Sequence, residues 1–296
     1  MRALLLEPFW AYGFMRTALV ACLGLALANA PVGVLLLQRR MSLTADVLSH
    51  AVMPGAALGF LIAGYSVLAL SLGGIAAGVL VALLASAAMR LDAERGGAER
   101  SEAPLAVMYL MSLAGGVLLV SLRGSNIDLM HVLFGTVLAV DARTLAFIAG
   151  VASVTLLGLA ALWRPLAVEG FDPLFLRAMG AGGAVFRGAF LLLAVLCLVA
   201  GFQAFGTLLA VGPVLLPAIA ARCWTRALHG QVLLAVLFGA LAGIAGLLAS
   251  FHLNLPSGPA VVLAGGALYG LSLAAAPLGR AGRAPALQPA EQGASR

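Results

Sequence analysis

About nine successive runs of roughly twenty apolar residues divide this chain, and few folds can hold such a sequence. They fall near 17–37, 43–64, 66–89, 104–122, 144–163, 188–205, 206–222, 229–251 and 259–277. Wound as a helix at about 1.5 Å per residue, one such run crosses a hydrocarbon core about 30 Å thick. Inside that core every backbone N–H and C=O must bond within the chain, so consecutive runs predict an all-α, polytopic helix bundle. The stretch 188–222 would be about 50 Å long as one helix, too long for a single crossing. GFQAFG (Gly201–Gly206) offers a tight reversal in its middle. The expectation is eight or nine membrane helices.

Composition agrees and excludes several chemistries. Of 296 residues, 63% are hydrophobic and 9% charged, against about 25% charged in a soluble domain. The surplus of apolar side chains must face lipid. All seventeen basic residues are arginine. Without lysine there is no P-loop and no lysine Schiff base, so the chain neither hydrolyses ATP through that motif nor catalyses through that adduct. The formal charge of +6 reads as membrane topology rather than nucleic-acid binding, because the arginines lie between apolar runs. With the N-terminus outside and the C-terminus inside, thirteen arginines fall on the cytoplasmic side and four (Arg2, Arg16, Arg123, Arg143) on the other, a strong positive-inside bias. Cys22, Cys197 and Cys223 form no CxxC pair and read as small hydrophobes. Glu7 and Pro8 interrupt the first apolar stretch, which argues against a cleavable signal peptide.

Residues 1–277 therefore read as one transmembrane domain and 278–296, rich in Ala, Pro, Gly and Arg, as a disordered tail. The segment 90–103 reads as a charged loop. Segment 165–187 mixes acids, arginines, glycines and apolar residues, and is expected to form two short helices at the cytoplasmic surface. GIAAG (Gly74–Gly78), GALAG (Gly239–Gly243) and GALYG (Gly266–Gly270) have the spacing that lets membrane helices approach closely. Pro31, Pro54, Pro213 and Pro217 lie within apolar runs, where helix breaks either kink the bundle or line a pathway.

Asp46 and His50 stand four residues apart inside the second run, on one face of a helix. Ionisable groups at that depth usually pair, face a cavity or handle an ion. One carboxylate and one imidazole make half a coordination shell for Zn²⁺, Mn²⁺ or Fe²⁺, and a poor one for Cu(I), which favours sulfur. A carboxylate that only fixes a buried imidazole is the alternative, and the ion-pathway reading is preferred because burying both groups for structure alone gains little over an apolar pair. Asp128 and His131, three residues apart, could meet on a helix and lead ions inward, although a solvated interfacial helix is the stronger reading of them. His229 and His252 read as interfacial, and Ser42 and Ser49 as bonding their own helix backbone.

The stretch QRRMSLTADVLSHAVMPGAALGFLIAG (Gln38–Gly64) resembles the signature of the membrane subunits of bacterial zinc and manganese ABC importers. Arg39, Arg40, Met41, Ser42, Leu43, Asp46, Leu48, Ser49, His50, Ala51, Pro54 and Gly55 stand in register, with Ala45 and Val47 as mild departures. LMHVLFGTVLAV, GFDPLFLRAMG, VGPVLLPAIAARC and LPSGPAVVL extend the resemblance over nearly the whole chain. It implies a type II ABC importer permease in the bacterial inner membrane. Two copies would enclose a pathway, two copies of a separate ATPase would dock from the cytosol, and an extracytoplasmic binding protein would deliver the metal. By the same resemblance GFDPLFLRAMG couples to the ATPase through Phe171, Asp172, Arg177 and Gly180, and Asp46 and His50 meet the transported metal. Such a subunit is no enzyme and keeps no resident cofactor. A stand-alone secondary transporter using Asp46 as a proton or ion site is the competing reading.

Overall fold

The computed structural model describes residues 2–64, 66–94, 103–121, 137–171, 183–206 and 209–280. Among them the chain is helical throughout, with no strand. We label the helices α1 (Arg2–Ala11), α2 (Gly13–Gln38), α3 (Ser42–Ala63), α4 (Val67–Glu94), α5 (Ala103–Ser121), α6 (Ala142–Phe171), α7 (Gly183–Phe205), α8 (Gly212–Trp224), α9 (Leu228–Leu253) and α10 (Ser257–Arg280). Seven of them (α2, α3, α4, α6, α7, α9 and α10) are long and apolar enough to cross a membrane.

Burial sorts these helices into a centre and a periphery. The most apolar windows of α2, α3 and α7 are 72%, 67% and 61% buried, whereas those of α4, α6, α9 and α10 are only 22% to 28% buried. In a bundle whose surroundings are as apolar as its core, burial follows position rather than hydrophobicity. The main core joins Val32, Leu35 and Leu36 of α2, Leu48 and Val52 of α3, and Phe190, Val195 and Leu198 of α7. Leucines such as Leu72, Leu83, Leu157, Leu233 and Leu263 point outward from the peripheral helices, as lipid-facing side chains do.

Close helix packing depends on small residues, only partly where their spacing suggested. The seam between α3 and α4 brings backbone against backbone: a Cβ on Gly55 would collide with the Gly73 carbonyl, and one on Gly59 with the Ala69 carbonyl. Gly74 and Gly78 pack on Val52 and Val195, and Gly239 and Gly243 on Ala26 and Cys22. Gly266 and Gly270 meet nothing within 4 Å, so the two glycines of GALYG pack against no other described helix.

Several expectations need correction. The run expected at 206–222 is the short helix α8, whose 13 residues extend only about 20 Å. The reversal before it is not centred on GFQAFG: Gly201 stays within α7, and the helix stops at Gly206, whose φ of +81° suits glycine. Segment 165–187 does not open with a short surface helix, because α6 runs on through Pro165 to Phe171 and α7 already starts at Gly183. Residues 90–94 of the charged stretch belong to α4, and α10 carries on past residue 277 to Arg280. The helix α1, with Pro8 inside it, had no counterpart in the sequence reading.

The two ends of the bundle differ in charge. At one end the C-terminal ends of α2 and α6 meet the second turn of α7 through Arg39, Glu169 and Arg187, and Trp163 of α6 lies 5.3 Å from His229 at the start of α9. Arg40, Arg164, Arg222 and Arg226 belong to this end as well. At the other end Tyr12 stacks 5.4 Å from Phe251, and the Val137 N–H donates to Ser257 Oγ at 2.9 Å. Of the described residues, Arg16 and Arg143 lie there. Among the described residues the arginines thus gather mainly at the first end, while Arg95, Arg100, Arg123, Arg177, Arg283 and Arg296 lie outside them.

Candidate functional site

Helix α3 carries Asp46 and His50, and a tight turn fixes how it leaves α2. Arg40 N–H donates to the Leu37 carbonyl and Met41 N–H to the Leu36 carbonyl at 2.9 Å, with Arg40 in the left-handed region at φ +55°. This is a Schellman termination in which an arginine occupies the position glycine usually takes. The Ser49 hydroxyl donates to the Asp46 carbonyl at 2.8 Å, as expected for a serine bonding its own helix.

His50 Nε2 lies 3.9 Å from Asp46 Oδ1. The imidazole is buried, its side chain 8% exposed, whereas the carboxylate is 44% exposed. Tyr109 of α5 meets the imidazole edge-on at 4.8 Å, and Nδ1 has no hydrogen-bond partner. The ring is held by packing, and no described hydrogen bond fixes which nitrogen carries the proton, so either one can present the single lone pair of the neutral ring.

Two ligands each about 2.1 Å from one ion stand about 3.4 Å apart at a tetrahedral angle, and never beyond about 4.2 Å. At 3.9 Å the Asp46–His50 pair is within that limit and needs about half an ångström of closure to share a divalent ion at the tetrahedral angle. Among the described residues no group of three His, Cys, Asp or Glu side chains converges on one point. The pair alone supplies too few ligands to hold an ion, and its more exposed member, Asp46, faces away from the core.

The other sequence-selected residues are less informative. Phe171 is the last residue of α6. Asp172, Arg177 and Gly180, and likewise Asp128 and His131, lie outside the described residues. His252 is exposed at the end of α9.

One site residue escaped sequence reasoning. Glu169, read as part of a surface loop, is a second acid within an apolar helix. Its side chain is 5% exposed and is gripped by Arg39 at 3.2 Å and Arg187 at 3.3 Å. The Arg39 guanidinium also donates to the Leu166 carbonyl at 3.0 Å and lies over the Phe190 ring, 4.5 Å from its centre. The available signal was the helical continuation of the apolar run past Pro165, which puts Glu169 on the face that carries the buried Leu166.

Ten described helices, three of them central, with an acid–imidazole pair on a buried one, define a multi-pass helical membrane protein of the transporter class. Comparison makes this specific. Residues 11–276 match the ABC 3 transport family, and the chain belongs to that family. It is 30% identical over 266 residues to the manganese import system permease protein ScaB of Streptococcus parasanguinis, covering 90% of this chain and 92% of that one. It is 29% identical over 274 residues to the manganese transport system membrane protein MntC of Listeria innocua, covering 93% and 95% respectively. The fold matches that of PsaBC from Streptococcus pneumoniae, solved in complex with Fab, with a TM-score of 0.81 at 28% identity over 92% of this chain and 95% of the other.

Proposed function

We propose that this chain is the permease subunit of an ABC importer that carries a divalent metal ion, with manganese as the cargo, across the bacterial inner membrane. The observation that carries the reading is the Asp46–His50 pair on a buried helix of a chain belonging to the ABC 3 transport family. An oxygen and a nitrogen ligand suit Mn²⁺, Zn²⁺ and Fe²⁺ alike. The ScaB and MntC relatives, both named for manganese, favour the first.

In this reading the arginine-rich end faces the cytosol, with the N-terminus outside. A separate ATPase supplies the energy, and an extracytoplasmic binding protein presents the ion. A second copy of the chain faces the first across the pathway, which gives the half-exposed Asp46 its missing co-ligands. Phe171, Asp172, Arg177 and Gly180 engage the ATPase, and Asp128 and His131 guide ions toward the pathway. The cargo must be held weakly, since a tight site would stop release. An incomplete pair that closes by a small movement meets that requirement.

The test is Mn²⁺ uptake into proteoliposomes holding the permease, its ATPase and its binding protein. Asp46→Asn keeps the shape and removes the charge, and uptake should fall severely. His50→Ala should do the same, and Asp46→Glu should lie between. Wild-type uptake by well-assembled Asp46→Asn protein would remove the site. Concentrative uptake by the permease alone would remove the ABC reading.

A further inference from the structure

The Arg39–Glu169–Arg187 cluster is the most buried ionic arrangement among the described residues, and the metal-binding pair does not account for it. A single carboxylate, 5% exposed, is shared by two arginines, one of them only 7% exposed. Buried ion pairs add little net stability compared with apolar replacements, so stability alone is a weak reason for one. This one is also under-satisfied: Glu169 Oε2 and Arg39 Nε, both buried, have no hydrogen-bond partner among the described residues. An under-satisfied buried network is costly to keep for structure alone, which points to a role beyond holding the bundle together.

Its position says what it joins. Glu169 lies two residues before the end of α6, and Arg187 in the second turn of α7. These two helices flank residues 172–182, within the segment that the proposed function assigns to the ATPase. Arg39 lies at the C-terminus of α2, and the Schellman turn that follows gives it no slack before α3 starts at Ser42. Seven residues past Arg39 on that chain is Asp46. The guanidinium is clamped on three sides, by Glu169, the Leu166 carbonyl and the Phe190 ring. Displacement of the α6 and α7 ends therefore reaches the start of α3 through a charged contact instead of through sliding apolar surfaces.

Resting on that proposed function, we propose that Glu169 is a positioning residue that links the ATPase-facing ends of α6 and α7 to the metal-binding helix α3, by way of Arg39. It touches no metal. Its role is to make the α2–α3 turn follow the α6–α7 ends, so that each ATP cycle moves Asp46 and His50.

The readout is the number of Mn²⁺ ions moved per ATP hydrolysed by the complete complex in proteoliposomes. Glu169→Gln keeps the side chain's size and removes its charge. The ratio should fall by about 2- to 30-fold, the range of coupling changes produced by residues between two linked sites. Co-purification of the ATPase should stay unchanged. Arg187→Gln, at the 40% exposed rim of the cluster, should give a smaller fall with unaltered thermal stability, and it decides the matter if Glu169→Gln does not assemble. A purely structural role predicts lower melting temperatures with the ratio unchanged, and an unchanged ratio in both variants would overturn the proposal. If the wild-type chain neither binds an ATPase nor shows ATP-dependent uptake, it is the proposed function that fails.

Discussion

The seam between α3 and α4 has no room for a methyl group at Gly55. Alanine there would set its Cβ 2.5 Å from the Ala77 Cβ and closer still to the Gly73 carbonyl oxygen. Ordinary contact begins at 3.4 Å, so the two helices would have to part by about 1 Å along that line. The seam cannot open at one point only, because Gly59 against Ala69 and Gly73 against Gly55 are backbone contacts on the same ridge. Overpacking of this kind costs about 1–3 kcal/mol. Gly270→Ala is the control, since a Cβ at that position meets nothing within 4 Å. Both substitutions gain the same intrinsic helix propensity, so the difference between them isolates the clash. Reversible unfolding of the purified chain in mixed micelles should show Gly55→Ala about 1–3 kcal/mol below Gly270→Ala, and Gly270→Ala above wild type by up to about 1 kcal/mol. Equal stability of the two variants would refute the backbone-to-backbone seam.

Other outcomes follow from local geometry. Arg40→Gly should be more stable than Arg40→Ala by about 1 kcal/mol, because φ +55° costs any side chain with a Cβ; paired unfolding curves measure this. Asp141 caps α6, accepting from the Thr144 N–H at 2.8 Å, and hydrogen bonds from Thr144 hold its carboxyl below the ordinary carboxylate range. Its folded value is depressed, so its contribution is present above the unfolded value near 3.9 and is lost as pH falls through the folded one. The stability gap between wild type and Asp141→Ala, about 1 kcal/mol at neutral pH, should close in acid, which a pH series of melts reads directly. Cys22 and Cys197 are buried and Cys223 is only partly so, so a maleimide should label Cys223 first in the folded protein, as mass spectrometry of the digested chain would show.

The long helices were legible because lipid imposes one rule on every span, and eight of the nine apolar runs became helices of at least 19 residues. The ninth misled because hydropathy measures transfer to lipid, and α8 is apolar without being long. Asp46 and His50 stood out as ionisable groups amid apolar ones. Glu169 did not, because it closes an apolar run beside Gly170 and Asp172 and resembles a loop acid until the end of α2 is laid against it. Glycine spacing alone could not tell Gly239, which meets Ala26, from Gly266, which meets nothing. Which faces touch is decided by the arrangement of all the helices together. Tyr109 as the neighbour of His50 was out of reach for the same reason.

The shortness of α8 bears on how the protein is made. A helix of 13 residues is below the length of about 17–25 that enters a bilayer unaided. Its buried face, Val214, Pro217, Ala218 and Ala221, presses on Gly33 of α2, Gly239 of α9 and, from its first turn, Val262 of α10. Two of those three supports are translated after it. During synthesis, then, the segment after Phe205 cannot lodge in the membrane on its own. It must wait at the insertion site, or enter as a hairpin with α7, until α9 and α10 emerge to enclose it.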